Sequence, residues 1–330
     1  EVMVIPGNIK KLAKLKLLYL IDNRIETVPE ELGQLAKLSE LSLSKNRLNT
    51  VPKELSQLTS LTELDLSQNQ LVNVPKELGC LVNLRELYLL DNQLTVLPKE
   101  LGKLVNLTRL FLHRNQLKTV PKELGELVNL TDLSLAHNQL TEVPKELGRL
   151  TNLTTLGLSH NRLEAVPREL GKLANLTTLA LFCNELEVVP KELGQLTHLA
   201  TLALSNNRLK TLPQELNQLT KLMELFVHEN EQLNLPLEVL GPTIQEYNDG
   251  AIAANPRDIL DYYFRLLAKV IPLNEAKLIL VGFGAVGKTS IANRLIQKKF
   301  DPKSAKTEGI QITQWSITIN ESEDIKLHVW

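Results

Sequence analysis

Along most of this chain aliphatic and polar residues alternate in one fixed order, L-x-x-L-x-L-x-x-N-x-L-x-x-V-P-x-E-L-G-x-L, as from Leu61 to Leu81. Asn recurs at 23, 46, 69, 92, 115, 138, 161, 184, 207 and 230, and Pro at 6, 29, 52, 75, 98, 121, 144, 167, 190, 213 and 236, always 23 residues apart. In Leu64-Asp65-Leu66 the alternation predicts a short strand with leucines inward and the middle residue outward. The Asn of each unit, such as Asn69, is predicted to turn inward and bond backbone groups where the chain bends. Leaving those groups unpaired would cost roughly 1–3 kcal/mol per site. Pro75 fits the first position of a short convex helix or 3-10 turn, where its missing N–H is harmless. Gly79 is expected to stop that turn as a C-terminal cap.

One such unit cannot bury its own leucines, so neighbours must stack into a continuous core. The unit resembles the leucine-rich repeat, and ten of them run in phase. The resemblance implies a solenoid over residues 1–241, a horseshoe whose concave side is a parallel sheet. The first unit has Pro6 but no preceding Asn, so further repeats or a cap are expected upstream. In the last unit Asn230 and Pro236 hold phase, but Gln232 stands where a leucine belongs and Leu233 is displaced.

The period stops after Pro242, and residues 242–275 read as a connection. Asn255-Pro256-Arg257-Asp258 is a helix start, with Asn as cap, Pro at the first position and an acid in the first turn. Ile259, Leu260, Tyr263, Leu266, Leu267 and Val270 give a helix over 256–271 an apolar stripe, suited to covering the open end of the solenoid. From residue 276 the pattern changes class. Residues 278–281 are a branched apolar run, as in a strand buried on both faces. Gly282-Phe283-Gly284-Ala285-Val286-Gly287-Lys288-Thr289 then fits the phosphate loop G-x-x-x-x-G-K-[ST] at every fixed position, with Ser290 following. Ile291, Leu295 and Ile296 continue at helical spacing. The glycines let backbone N–H groups approach phosphate oxygens, and the following helix adds the positive end of its dipole. Lys288 is expected to reach the β- and γ-phosphates, and the Thr289 hydroxyl to hold Mg²⁺.

Residues 310–319 and 325–330, joined by the polar 320–324, read as a hairpin. Thr307-Glu308-Gly309 resembles a Ras-type switch I, 307 − 289 = 18 residues after Thr289. That resemblance makes Thr307 a second Mg²⁺ contact that senses the γ-phosphate of GTP. Repeats, a connecting helix and then a Ras-like domain resemble the Roco family, whose GTPase domain is called Roc and is normally followed by a dimerising COR domain. The fold class is therefore α/β: a leucine-rich-repeat solenoid plus the N-terminal part of a Ras-like P-loop GTPase domain at 276–330. The family's D-x-x-G and N-K-x-D motifs would come after Trp330, the last residue of the sequence. The parent protein is accordingly expected to hydrolyse GTP to GDP and phosphate, and these 330 residues alone to be inactive.

Composition adds limits. The chain is 43% apolar but 4% aromatic, so its core must be aliphatic. A net charge of −1 argues for neither nucleic acid nor an anionic membrane as partner. No apolar run reaches the ~20 residues of a membrane span. Two cysteines form no disulfide framework, and a cytoplasmic setting is expected. Outward strand positions carry any specificity for a protein partner: Tyr19, Tyr88, Phe111, His113, Arg114, His137, His160, Phe182, Phe226 and His228. Of these Tyr88, Phe111, His113, Arg114 and Phe182 form the expected partner-binding face. His113, His137 and His160 fall on adjacent units but lack a carboxylate or thiol at metal-ligand spacing, and read as surface histidines. The Lys/Arg-Glu pairs that follow each Pro read as a solvated face. The competing readings are a non-enzymatic repeat scaffold with a vestigial nucleotide site, and an immune-type ATPase receptor, disfavoured because its repeats normally follow the ATPase.

Overall fold

In a computed structural model of the protein, residues 2–268 are described with their side chains, and the backbone also at 275–278, 313–320 and 323–329. The chain divides into two units, Glu1–Tyr263 and Phe264–Trp330. The first is a solenoid built on ten three-residue strands: β1 (Leu17–Tyr19), β2 (Glu40–Ser42), β3 (Glu63–Asp65), β4 (Glu86–Tyr88), β5 (Arg109–Phe111), β6 (Asp132–Ser134), β7 (Thr155–Gly157), β8 (Thr178–Ala180), β9 (Thr201–Ala203) and β10 (Glu224–Phe226). They form one parallel sheet in sequence order, each residue opposite its equivalent 23 positions on, as Leu64 is opposite Leu87. Behind the sheet, Leu61, Leu64, Leu66, Leu71 and Leu81 are at most 1% exposed. Burying each such side chain is worth about 1.5–3 kcal/mol, and only stacking makes that burial possible.

The asparagines do what the pattern predicts. Asn69 donates through Nδ2 to the carbonyls of Leu43 (3.0 Å), Leu66 (3.2 Å) and Ser67 (3.0 Å), and its Oδ1 accepts from Leu48 N at 3.0 Å. Each Asn thus serves its own bend and the repeat before it. The bend itself is left-handed: the residue just before each ladder Asn has φ between 52° and 57°, whether it is Lys45, Arg114, His160 or Glu229. A second ladder, which the repeat pattern did not announce, runs along the turn side. Asn106, Asn129 and Asn152 donate through Nδ2 to the carbonyls of Val82, Val105 and Val128 at 2.8–2.9 Å.

Two expectations about the turn side are corrected. Pro75 is not the first residue of the 3-10 turn but the residue before it, extended at φ −65°, ψ 140°, and the turn runs Lys76–Cys80. Its carbonyl accepts the first bond of the turn, from Leu78 N at 3.1 Å, so the imide contributes an acceptor as well as a fixed φ. Gly79 lies inside that turn, and Leu81, not glycine, caps it. Glycine is required there because a Cβ would stand 2.3 Å from the carbonyl oxygen of Glu100 in the next repeat. The residue sets the distance between repeats.

At the far end the displaced Leu233 still reaches the core, 2% exposed, because Glu231–Leu233 form an extra 3-10 turn. Two short helices follow, α1 (Leu237–Leu240) and α2 (Ile244–Asn248), the second closed by a capping box between Thr243 and Glu246. Then comes α3 (Pro256–Leu267), capped as predicted: Asn255 Oδ1 accepts from Arg257 N at 3.1 Å. Ile259, Leu260 and Tyr263 are buried, and Leu212 N donates to the Tyr263 hydroxyl at 3.0 Å. Leu266 and Leu267, expected on the same apolar stripe, are exposed. Residues 269–271 of the expected helix, including Val270, lie outside the described residues.

The second unit has β11 (Glu275–Leu278), β12 (Thr313–Asn320) and β13 (Glu323–Val329) in the order β11-β13-β12. The predicted hairpin is present, since β12 and β13 pair antiparallel, with an irregularity between Thr318 and Asn320. β11 pairs parallel with β13 and starts earlier than the apolar run suggested; 279–281 lie outside the described residues.

Candidate functional site

The phosphate-loop positions Gly282, Gly284, Ala285, Val286, Gly287, Lys288, Thr289 and Ser290, and the switch position Thr307, lie outside the described residues. What the structure describes is the sheet face of the solenoid, where the partner-binding positions fall. Because the strands are in register, the outward residues form columns that cross the sheet. The first column reads Glu40, Glu63, Glu86, Arg109, Asp132, Thr155, Thr178, Thr201 and Glu224, and the second Tyr19, Ser42, Asp65, Tyr88, Phe111, Ser134, Gly157, Ala180, Ala203 and Phe226.

Three zones result. Over β2–β4 the face is acidic. Glu40 takes a hydrogen bond from the Tyr19 hydroxyl, Asp65 accepts from Ser42 and Ser67, and Glu86 pairs with Arg109 and accepts from Tyr88. Glu63 has no ion-pair partner among the described residues. Partial burial, then repulsion from Glu86, Glu40 and Asp65, raises its pKa above the usual carboxylate range. The same burial, with the bond to Glu86, raises the Tyr88 phenol.

Over β4–β8 the face is aromatic. Tyr88 and Phe111 stack with centroids 5.4 Å apart, and His113 meets the edge of Phe111 at 6.1 Å. His137 and His160 lie face to face at 3.9 Å and 11°, and Phe182 abuts His160 at 5.1 Å. The structure therefore brings Tyr88, Phe111 and His113 into one group and Phe182 into another. Arg114 stands exposed beside them, 3.5 Å from Asp91. Burial lowers the pKa of all three histidines. At His113 Asp91 opposes the shift while Arg114 and His137 add to it; at His137 Arg114 adds to it and Asp91 opposes it; and His137 lowers His160. Among the described residues no group of three His, Cys, Asp or Glu is placed to hold a metal ion.

Over β7–β9 the outward residues are small: Thr155, Gly157, Thr178, Ala180, Thr201 and Ala203. Beyond them the face is closed, which corrects two expected positions. Phe226 is 1% exposed beneath Tyr247, centroids 5.4 Å apart, and His228 is 3% exposed with Nε2 donating to the Gly241 carbonyl at 3.0 Å. The hydroxyl of Tyr247 also bonds Glu224. Neither Phe226 nor His228 is open to a partner, because the segment after the last repeat folds over them. Nothing in the repeat pattern announces this, although the aromatic Tyr247 after the period stops is a signal in hindsight.

Comparison with known proteins follows the same division. A family model described as "Leucine-rich repeat region" matches residues 74–188, and one described as "Leucine rich repeat" matches 13–71, 36–94 and 174–231. One described as "Ras of Complex, Roc, domain of DAPkinase" matches 277–330. Among solved structures, a leucine-rich-repeat protein of Leptospira interrogans is 42% identical with a TM-score of 0.67, covering 72% of this chain and 61% of that one. The plant peptide hormone receptor RGFR1, solved in complex with RGF2, is 34% identical with a TM-score of 0.64, covering 68% of this chain and 38% of its own. Among curated proteins, Ras-related protein Rab-18 of Caenorhabditis briggsae is 36% identical over 59 residues, 18% of this chain and 29% of that protein. GTP-binding protein ypt5 of Schizosaccharomyces pombe is 34% identical over 61 residues, again 18% of this chain and 28% of that protein. The chain thus spans less than a third of the curated relatives it matches.

Proposed function

Because this chain joins a leucine-rich-repeat solenoid to Roc-domain sequence, we propose that it works as a Roco-type signalling protein that binds guanine nucleotide and recruits polypeptide partners through its repeats. The observation that carries the reading is the order of the two matches, with an intact G-x-x-x-x-G-K-[ST] loop at the head of the second. In this reading the backbone of 282–287 cradles the phosphates and Lys288 neutralises charge at the β- and γ-phosphates. The hydroxyls of Thr289 and Thr307 are hard oxygen donors, the chemistry that suits Mg²⁺, which supplies Lewis-acid stabilisation of the transferring phosphoryl group when bound. GTP rather than ATP is the nucleotide on the strength of the Rab and Ypt relatives.

Support for partner binding is the set of half-exposed outward rings on the sheet face, Tyr88, Phe111 and Phe182, and the receptor RGFR1, a structural relative solved with RGF2. Two free cysteines suit the reducing cytoplasm, and among the described residues no helix is long and apolar enough to cross a membrane. The test is calorimetric titration of Mg²⁺ and GTP, and separately ATP, into the full-length protein and its Lys288→Ala variant. GTP binding weakened at least about tenfold by the substitution, or 1.4 kcal/mol, is expected. Equal affinity in both proteins sinks the nucleotide-site assignment and leaves the scaffold reading.

A further inference from the structure

The sheet face is asymmetric, and, given the partner-binding reading on which the inference rests, its asymmetry specifies a class of partner. Glu40, Glu63, Asp65 and Glu86 put negative charge on β2–β4, and the cation that answers them on those outward columns is Arg109, paired with Glu86. Glu63 is left without an ion-pair partner, half-buried among like charges. Directly beside this zone stand the half-exposed rings of Tyr88 and Phe111, and three strands further on that of Phe182. Beyond Phe182 the small side chains Ala180 and Ala203 end against the closed surface over Phe226. A bound chain that crosses the face therefore meets acids at one end and aromatics at the other.

We propose that the sheet face binds an extended basic-aromatic peptide of a partner protein, its Lys or Arg side chains over Glu63 and Asp65 and its aromatic or large apolar side chains against Phe111 and Phe182. Charge complementarity decides the occupant. A cation relieves the repulsion that the carboxylates impose on one another, whereas an acidic segment would add to it. Exposed rings supply the apolar anchor, since aromatic side chains are where interface energy concentrates. Arg109 marks the boundary of the acid cluster: beyond it the outward columns carry no further basic residue, only the isolated Asp132, then Thr155, Thr178 and Thr201, and last Glu224, which Tyr247 bonds. From β2 to β8 there are six strand spacings of about 4.8 Å, a crossing of about 29 Å that about nine extended residues span.

The experiment is selection of a randomised nine-residue peptide library, displayed on phage, against the full chain, followed by fluorescence-anisotropy titration of the enriched peptides. Sequences carrying Lys or Arg in one half and an aromatic in the other are expected. Their affinity should fall at least tenfold in Glu63→Gln/Asp65→Asn and in Phe111→Ala, and be unchanged in Glu126→Lys on the turn side. It should also weaken as salt rises from about 50 to about 300 mM, since the attraction is between partly exposed charges. Thermal melts of each variant separate lost binding from lost fold. Enriched peptides that are acidic or uncharged but still lose affinity in Phe111→Ala overturn the basic class and keep the partner-binding reading. Enrichment of no peptide sensitive to Phe111 overturns both.

Discussion

Tyr19 and Phe226 occupy the same outward position in the first and last strands of one sheet, yet Tyr19 is 52% exposed and Phe226 1%. Both are large aromatics at the end of the motif x-L-x, and both side chains leave the sheet on the same face. The difference lies outside the repeat. Over Phe226 sits Tyr247, brought there by α2 and the extra turns after the last repeat. Tyr19 stands open, its hydroxyl donating to Glu40. The repeat fixes the direction of a side chain, and the neighbouring segment fixes whether water reaches it. The same contrast separates Asn23 from Asn138: Asn23 is half-buried and its Oδ1 accepts from the exposed Val2 N, while Asn138 serves two fully packed repeats.

That contrast is open to direct test. Asn138→Ala leaves the buried Leu117 N without its acceptor, while the carbonyls of Leu112 and Leu135 keep Asn115 and Asn161 as donors, and is expected to destabilise the solenoid by about 1–3 kcal/mol. Asn23→Ala at the open end should change stability by less than about 1 kcal/mol, because water can replace the lost bonds. Urea denaturation followed by circular dichroism reads both; equal losses would mean that position in the array does not matter.

Gly125→Ala tests whether glycine spaces the repeats. The new Cβ would stand 2.3 Å from the Glu146 oxygen, so the repeats must part, at about 1–3 kcal/mol. At Ser56, which fills the equivalent place one repeat after Gly33, the reverse change Ser56→Gly is expected to shift the melting midpoint far less. Tyr263→Phe probes the closed end: the lost hydroxyl leaves Leu212 N unpaired, an effect of about 1–2 kcal/mol, whereas Tyr262→Phe on the exposed side of α3 should be silent.

The smallest expected effect is the pH dependence of the aromatic centre. His113, His137 and His160 have pKa values lowered in the folded chain, chiefly by burial, with Asp91 opposing the shift at His113 and His137. The unfolded chain therefore binds protons more readily, so this contribution is fully present above the ordinary histidine range and is lost as pH falls below it. Denaturation midpoints at pH about 7.5 and about 5.0, compared between the natural chain and the triple His→Gln variant, isolate it. The natural chain should lose more on acidification; an equal loss would show that the three rings titrate as if free.

Much of this molecule was legible in its residues. The 23-residue return of Asn and Pro predicted the parallel register, the inward leucines and the hydrogen bonds of Asn69, because each is a local demand repeated ten times. Asn255-Pro256 announced α3, and the polar stretch 320–324 announced the β12–β13 hairpin, although Asn320, Glu323 and Asp324 belong to its strands. The phosphate-loop pattern at 282–289 is likewise written in contiguous residues, which lie outside the described ones. Pro75 and Gly79 were assigned the wrong reasons. Single-chain rules place proline inside a helix start and glycine at its end, but here Gly79 answers to Glu100, a residue 21 positions away.

By itself, then, the sequence determined the repeat, its core and its bends. Only the tertiary structure decided which outward side chains remain open. It put Phe226 and His228 under the segment that follows the last repeat, and left Tyr88 and Phe111 half-exposed as one stacked pair and Phe182 half-exposed against His160. It also chose which residues adopt the left-handed bend, where Lys45, Arg114, His160 and Glu229 share one backbone conformation without sharing any chemistry. The physical reason is one of range. Alternation and turn preference act over a few residues and are written in them, whereas exposure and close approach depend on what the next repeat, or the chain beyond the last one, lays across them.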